Sequence, residues 1–179
     1  MRLAERGDRR LAGVVALAPA GLDMSRWIDL VEAAPLLQPL LAVPTPVSGQ
    51  VVRAVVGRTY QQLALANPRL VDAKVVSHFT AHFRGRRTVS EYLAIARRLR
   101  AELRDPFRLA SIRCPLLLVF GDRDRLVPPT GSERVLAEVQ TARLELIPGC
   151  GHCPQIEAVE VLMELLAAFS AAASSRRYA

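Results

Sequence analysis

The sequence predicts an α/β fold of about three parallel strands, with flanking helices and a helical insertion. Two continuous apolar runs, Leu11–Ala18 and Pro115–Phe120, are flanked by charged or turn-forming residues, as strands covered on both faces would be. A third strand-like run, Arg143–Ile147, follows a short helical segment. Between the first two runs lies a long stretch of helical texture broken by prolines. The order strand, helical insert, strand, helix, strand, helix is that of a parallel α/β sheet.

Residues 2–9 read as the end of a helix, with Gly7 at its carboxyl cap. Leu11–Ala18 then forms the first strand. Arg9 and Arg10 followed by LAGVVALAPA imitate an export signal, but the apolar stretch is short and Glu5 and Asp8 lie in the charged run before it. From about Asp23 to Arg108, helical segments are interrupted by Pro35, Pro39, Pro44, Pro46 and Pro68. Trp27, Leu30, Val31 and Ala34 fall at helical spacing, Val47–Ala66 is helical in texture, and Leu70–Phe83 carries another apolar periodicity. Thr88-Val-Ser-Glu91 reads as a capping box opening a helix over Tyr92–Leu103. Thr130-Gly-Ser-Glu133 reads as a second, opening a helix through Val139. Ile156–Phe169 is an amphipathic closing helix, and AAASSRRYA a frayed tail. The expected division is a core of 1–22 and 109–171, a helical insertion over 23–108 and a flexible tail over 172–179.

Composition sets bounds on function. A chain of 179 residues, 51% hydrophobic and 23% charged, can bury a core. No apolar run reaches the ~18 residues that span a bilayer. The net charge is +7, and of the 24 basic residues only Lys74 is a lysine. Arginine clusters at Arg84/Arg86/Arg87, Arg97/Arg98/Arg100 and Arg176/Arg177 come without a nucleic-acid motif or an aromatic platform, so neither nucleic acid nor membrane is an expected partner. Three cysteines make no disulfide framework, which points to a reduced, cytoplasmic protein.

The chemistry gathers at two predicted strand ends, where open parallel sheets place function. Gly121-Asp122-Arg123-Asp124 follows Phe120, and Gly149-Cys150-Gly151-His152 follows Ile147. A carboxylate and an imidazole on successive strand ends can meet. The acid would accept the Nδ1 proton and the histidine would act as general base, then acid. Asp124 and, as the alternative, Asp122 are the candidate acids here.

GDRDRLVPP and the later PGCGHCPQIE resemble the carboxyl-terminal half of an α/β-hydrolase, whose pattern is roughly G-x-x-D-x-x-[VI]-P followed by G-x-G-H-x-P-x-x-E. The resemblance covers about 11–22 and 112–170, with the insertion in the place of that family's lid. It implies Asp124 as the acid, His152 as the base and Glu157 as a residue that holds the histidine loop, while a rarer arrangement of that family would put the acid at Asp23, just past the first strand. It further implies a serine hydrolase of esterase-like type, acting on a small apolar substrate through an ester-like or otherwise hydrolysable carbonyl, and by itself it does not choose among esterase, lipase, carbon–carbon bond hydrolase and epoxide hydrolase. No cofactor or metal is implied.

The same resemblance calls for a G-x-S-x-G nucleophile elbow upstream of the acid, and none is present. Ser48-Gly49 and Ser25 stand in the insertion, and Cys114 lies at the amino end of its strand. MRLAERGDRRLAGVVALAPAG resembles the family from the end of the nucleophile helix onward. Met1 is therefore expected to correspond to an internal position of a longer, ancestral chain, with the early strands and the oxyanion-hole loop upstream. On this reading the 179 residues alone are inactive. The alternative is a non-catalytic, partner-binding module, with self-association through an open sheet edge. Two further motifs are set aside. Cys150-Gly-His-Cys153 resembles a redox CxxC, but too little chain follows it for a thioredoxin-like domain. His78 and His82 lie four apart without the glutamate of a zinc HExxH.

Overall fold

A computed structural model describes residues 1–7, 10–23 and 48–175. The expectations for Ser25, Trp27, Leu30, Val31, Ala34, four of the prolines and Arg176/Arg177 lie outside the described residues. Three strands, β1 (Val14–Leu17), β2 (Leu116–Gly121) and β3 (Ala142–Ile147), form one parallel sheet in the order β1-β2-β3. Val14 faces Leu116, and Leu116 in turn faces Ala142. All three strands therefore run to the same edge of the sheet, where β2 ends at Gly121 beside Ile147 of β3.

Among the described residues the helices are α1 (Arg2–Glu5), α2 (Gly49–Ala64), α3 (Ala73–Thr80), α4 (Arg86–Leu103), α5 (Ser132–Glu138), α6 (Pro154–Glu157) and α7 (Val159–Ser175). Side chains alternate across a strand, so β2 feeds two cores. Leu116, Leu118 and Phe120 pack with Leu109, Ile112 and Val135 on one face. Leu117 and Val119 pack with Ile147 and Leu162 on the other, against α7. Every residue of β2 is buried, which explains its uninterrupted apolar sequence. β3 lies at the sheet edge and exposes Arg143 and Glu145.

Several boundaries move for local reasons. Gly7 does take up the left-handed conformation expected past a helix end (φ +63), but only Val14–Leu17 of the first apolar run pairs as strand. The helix expected from Tyr92 starts at Arg86. Gly85 takes the N-cap, and Thr88 serves as the third helical residue: its hydroxyl donates to Gly85 O at 2.7 Å and accepts from Gly85 N at 3.3 Å. The box expected at Thr130 does not form. Pro129–Gly131 is a single 3₁₀ turn, Thr130 donates instead to Asp23, and the helix begins at Ser132. The closing helix is two helices broken at Ala158, and α7 runs through Ala171–Ser175, a stretch expected to be frayed.

Because β2 is shared by both cores, truncating it opens a cavity with nothing mobile to fill it. Phe120→Ala should cost ~3–5 kcal/mol in urea unfolding, whereas Leu146→Ala, at a side chain 47% exposed on β3, should cost under ~1 kcal/mol.

Candidate active site

The acid loop leaves β2 through Gly121, and the histidine loop leaves β3 through Gly149. The two loops touch along their backbones. Arg123 N donates to Cys150 O at 2.9 Å and Asp122 N to Ile147 O at 3.1 Å. A Cβ on Gly121 would collide with the carbonyl oxygens of Cys150 and Gly151, so glycine is required there by space. Gly149 needs its glycine for a different reason, a φ of +70 that turns the chain towards His152.

This contact brings Asp124 and His152 together. Asp124 Oδ2 lies 2.9 Å from His152 Nδ1. Its Oδ1 accepts from Leu126 N at 2.8 Å and Val127 N at 2.9 Å. The Asp124 side chain is wholly buried, so each of these bonds replaces one that water would make. The His152 side chain remains 27% exposed. With Asp124 accepting from Nδ1, Nε2 is left as the acceptor on the open side of the ring.

Asp122 does not reach the imidazole; its Oδ1 accepts from Gly149 N at 2.7 Å and braces the turn. Asp23 accepts from Thr130. Cys114 sits at the opposite end of β2, where its carbonyl accepts from Thr141. His78 faces its own helix, with Nδ1 2.8 Å from Lys74 O, and His82 packs on Phe83 with ring centroids 4.0 Å apart. No group of three or more metal-ligating side chains occurs among the described residues.

The sequence pattern pointed to Glu157 as a loop-holding residue, and the structure shows what it grips. Its Oε2 accepts from Gly151 N at 2.8 Å, and its Oε1 from Ala66 N at 2.7 Å and Asn67 N at 3.2 Å. One carboxylate thus ties the histidine loop to the chain leaving α2. Beside it, His152 N donates to Ala64 O at 2.7 Å. Tyr60 shares a hydrogen bond with Cys153 Sγ at 2.9 Å and stacks on Phe79 at 4.2 Å. Arg125 reaches Gln62 O from the acid loop. These insertion residues carried no sequence signal, because backbone carbonyls and a lone tyrosine look alike everywhere in a helical stretch.

Cys150 and Cys153 are buried free thiols. Burial pushes the Cys150 thiol from 9.0 up to about 12, and burial likewise raises Cys153. A redox CxxC needs the reverse, a thiolate favoured near neutral pH.

The alpha/beta hydrolase family model matches residues 2–165. The chain belongs to the alpha/beta hydrolase family. Among curated proteins it is similar to a 2-hydroxy-6-oxononadienedioate/2-hydroxy-6-oxononatrienedioate hydrolase of Pseudomonas putida, 39% identical over 62 residues, which are 35% of this chain and 22% of that one. A hydrolase of the same name from Klebsiella pneumoniae is 36% identical over 66 residues, 37% of this chain and 23% of that protein. Among solved structures, the 2-hydroxy-6-oxo-6-phenylhexa-2,4-dienoate hydrolase of Rhodococcus sp. strain RHA1 superposes with a TM-score of 0.67 at 17% identity, over 94% of this chain and 58% of that one. A thermophilic esterase of Thermogutta terrifontis does so with a TM-score of 0.61 at 15% identity, over 92% and 57%. The likeness to these structures is one of fold, and the chain spans little more than half their length.

The buried thiols give a pH test. In the folded hydrolase-family chain Cys150 keeps a proton that the unfolded chain releases above its ordinary value of 9.0. The stability this contributes is full below that value and is lost as pH rises from about 9 towards about 12. Cys150→Ala should flatten that alkaline decline in thermal melts. At pH 8 neither Cys150 nor Cys153 should react with a thiol reagent until the chain is unfolded.

Proposed function

We propose that this chain carries the acid and base of a serine hydrolase, with Asp124 orienting His152 and His152 moving the proton. The 2.9 Å contact of Asp124 Oδ2 with His152 Nδ1 carries this reading, because it leaves Nε2 as the free base of a partly exposed ring. Nε2 takes the proton of a serine hydroxyl as that oxygen attacks a substrate carbonyl. Asp124 stabilises the imidazolium so formed, and the ring then returns the proton to the leaving group. A water attacks the acyl-enzyme in the second half, again giving its proton to Nε2.

The serine belongs to an elbow that residues 1–179 do not contain. The substrate is a small carbonyl compound, and the helical insertion acts as its lid. The sequence relatives named as 2-hydroxy-6-oxononadienedioate hydrolases favour cleavage beside a ketone carbonyl over simple ester hydrolysis. Esterases share the fold at lower identity, which does not choose a substrate.

Two outcomes follow. Residues 1–179 alone should turn over a chromogenic ester no faster than buffer does, since one lost oxyanion-hole donor alone costs ~3 kcal/mol of barrier. Rapid turnover that His152→Ala abolishes would overturn the external serine. Independently, nitrogen-15 NMR at alkaline pH should find His152 as the Nδ1–H tautomer, and Asp124→Asn should erase that preference. An Nε2–H ring in the unaltered chain would sink the acid–base assignment.

A second reading rests on one observation. β1 pairs on one side only among the described residues, and Leu17 on it is 38% exposed. An open apolar edge invites a further strand. On this reading the chain is a non-catalytic module that self-associates or binds a partner there. A stable oligomer in size-exclusion chromatography, dispersed by Leu17→Lys, would favour it.

A further inference from the structure

Outside the acid–histidine pair, the most distinctive feature is an open surface groove of about 830 Å³ between α2 and α3. Its walls follow from helical spacing. Arg53, Gly57 and Gln61 recur every fourth residue on α2, as do Ala54, Arg58 and Gln62 beside them, while Ala73, Val76, Ser77 and Thr80 line the facing side of α3. Asn67-Pro68-Arg69 closes one end.

The charge in this groove is uncompensated. Arg53, Arg58 and Arg69 line it and no acidic side chain does. None of the three makes an ion pair or side-chain hydrogen bond with another described residue. Elsewhere arginines do find partners, as Arg87 does in Glu91 and Arg134 in Glu138. The floor is apolar: Gly57 contributes no side chain, and Val76 and the methyl of Thr80 pack beneath it. The Thr80 hydroxyl is turned away and donates to Val76 O at 2.9 Å.

We propose that this groove binds a small organic anion, with its carboxylates on Arg53, Arg58 and Arg69 and its hydrocarbon on the floor at Gly57, Val76 and Thr80. Guanidinium forks match carboxylate geometry in pairs, and a like-charged cluster is relieved when an anion enters it. Inorganic phosphate would leave the floor bare. Single-stranded nucleic acid needs aromatic faces, and the nearby Tyr60 and Phe79 are stacked on each other. The groove also shares Gln62 and Asn67 with the segment that grips the histidine loop, so an anion there lies against the support of His152.

The test is a titration of the 179-residue chain with nonanedioate at about 0.15 M salt, followed by amide and guanidinium NMR. Nonane-1,9-diol and inorganic phosphate serve as comparisons. Saturable binding is expected, with shifts centred on Gly57, Arg53 and Arg69, no binding of the diol and weaker binding of phosphate. Arg53→Gln with Arg69→Gln should weaken nonanedioate by about tenfold or more. Gly57→Leu should weaken it as much with the net charge unchanged, and Ala54→Trp on the exposed rim does the same should Gly57→Leu fail to fold. Arg98→Gln on α4 should change nothing. Absence of saturable binding overturns the site. Equal affinity for phosphate, full affinity in the filled-groove variants, or equal weakening by Arg98→Gln reduces it to general attraction by a basic surface and overturns it as well.

Discussion

The buried carboxylate of Asp124 is the constraint around which the site is organised. With its side chain closed off from water, both oxygens must find donors within the protein, and a missing donor would cost about 1–3 kcal/mol or more. Leu126 N and Val127 N supply two by wrapping the acid loop around Oδ1, and His152 supplies the third at Oδ2. The need to satisfy one side chain therefore sets the curvature of one loop and the position of the other. It also explains why β2 and β3 end side by side: only adjacent strands of matching register deliver the two loops to within a hydrogen bond.

Glycines make that approach possible. The loops meet backbone to backbone at Gly121 and Gly151, where a Cβ would strike carbonyl oxygens or lie 2.6 Å from Ala64 O. A second carboxylate then extends the network outward. Glu157 joins the histidine loop to Ala66 and Asn67, while His152 N and Tyr60 hold the end of α2. The helical insertion and the strand ends are thus one mechanical unit at the point where the imidazole stands.

How much of this was legible in the sequence depended on range. β2 was plain, since six buried residues on a doubly covered strand leave an unbroken apolar run. Asp124, His152 and Glu157 were legible as a spaced pattern, because acid, histidine and brace each sit at a fixed distance from a strand end. The capping boxes were misread for a physical reason. Thr88 and Thr130 have the right residue three positions on, but Gly85 and the Pro128-Pro129 pair set the backbone first, and each threonine took the partner that backbone left within reach. The stretch Ala171–Ser175 differs from the frayed tail expected there because small residues look disordered in isolation, whereas α7 carries on past its apolar stripe and buries Ala173. Tyr60 and the α2 carbonyls could not be read at all, since a contact across some ninety residues leaves no trace in local spacing.

The two cysteines flanking His152 show how the same residues can carry opposite chemistry in different surroundings. In a redox motif a helix terminus or a nearby cation stabilises the thiolate. Here Cys150 sits in the apolar core beneath α7, and the charges nearest it, Glu157 and Asp124 among them, are carboxylates. Both influences favour the protonated thiol. Cys153 meets the tyrosine that stacks against α3, so its sulfur acts as a packing surface with one weak hydrogen bond. The carboxylates that stand around His152 therefore add to burial in keeping the thiols on either side of it protonated.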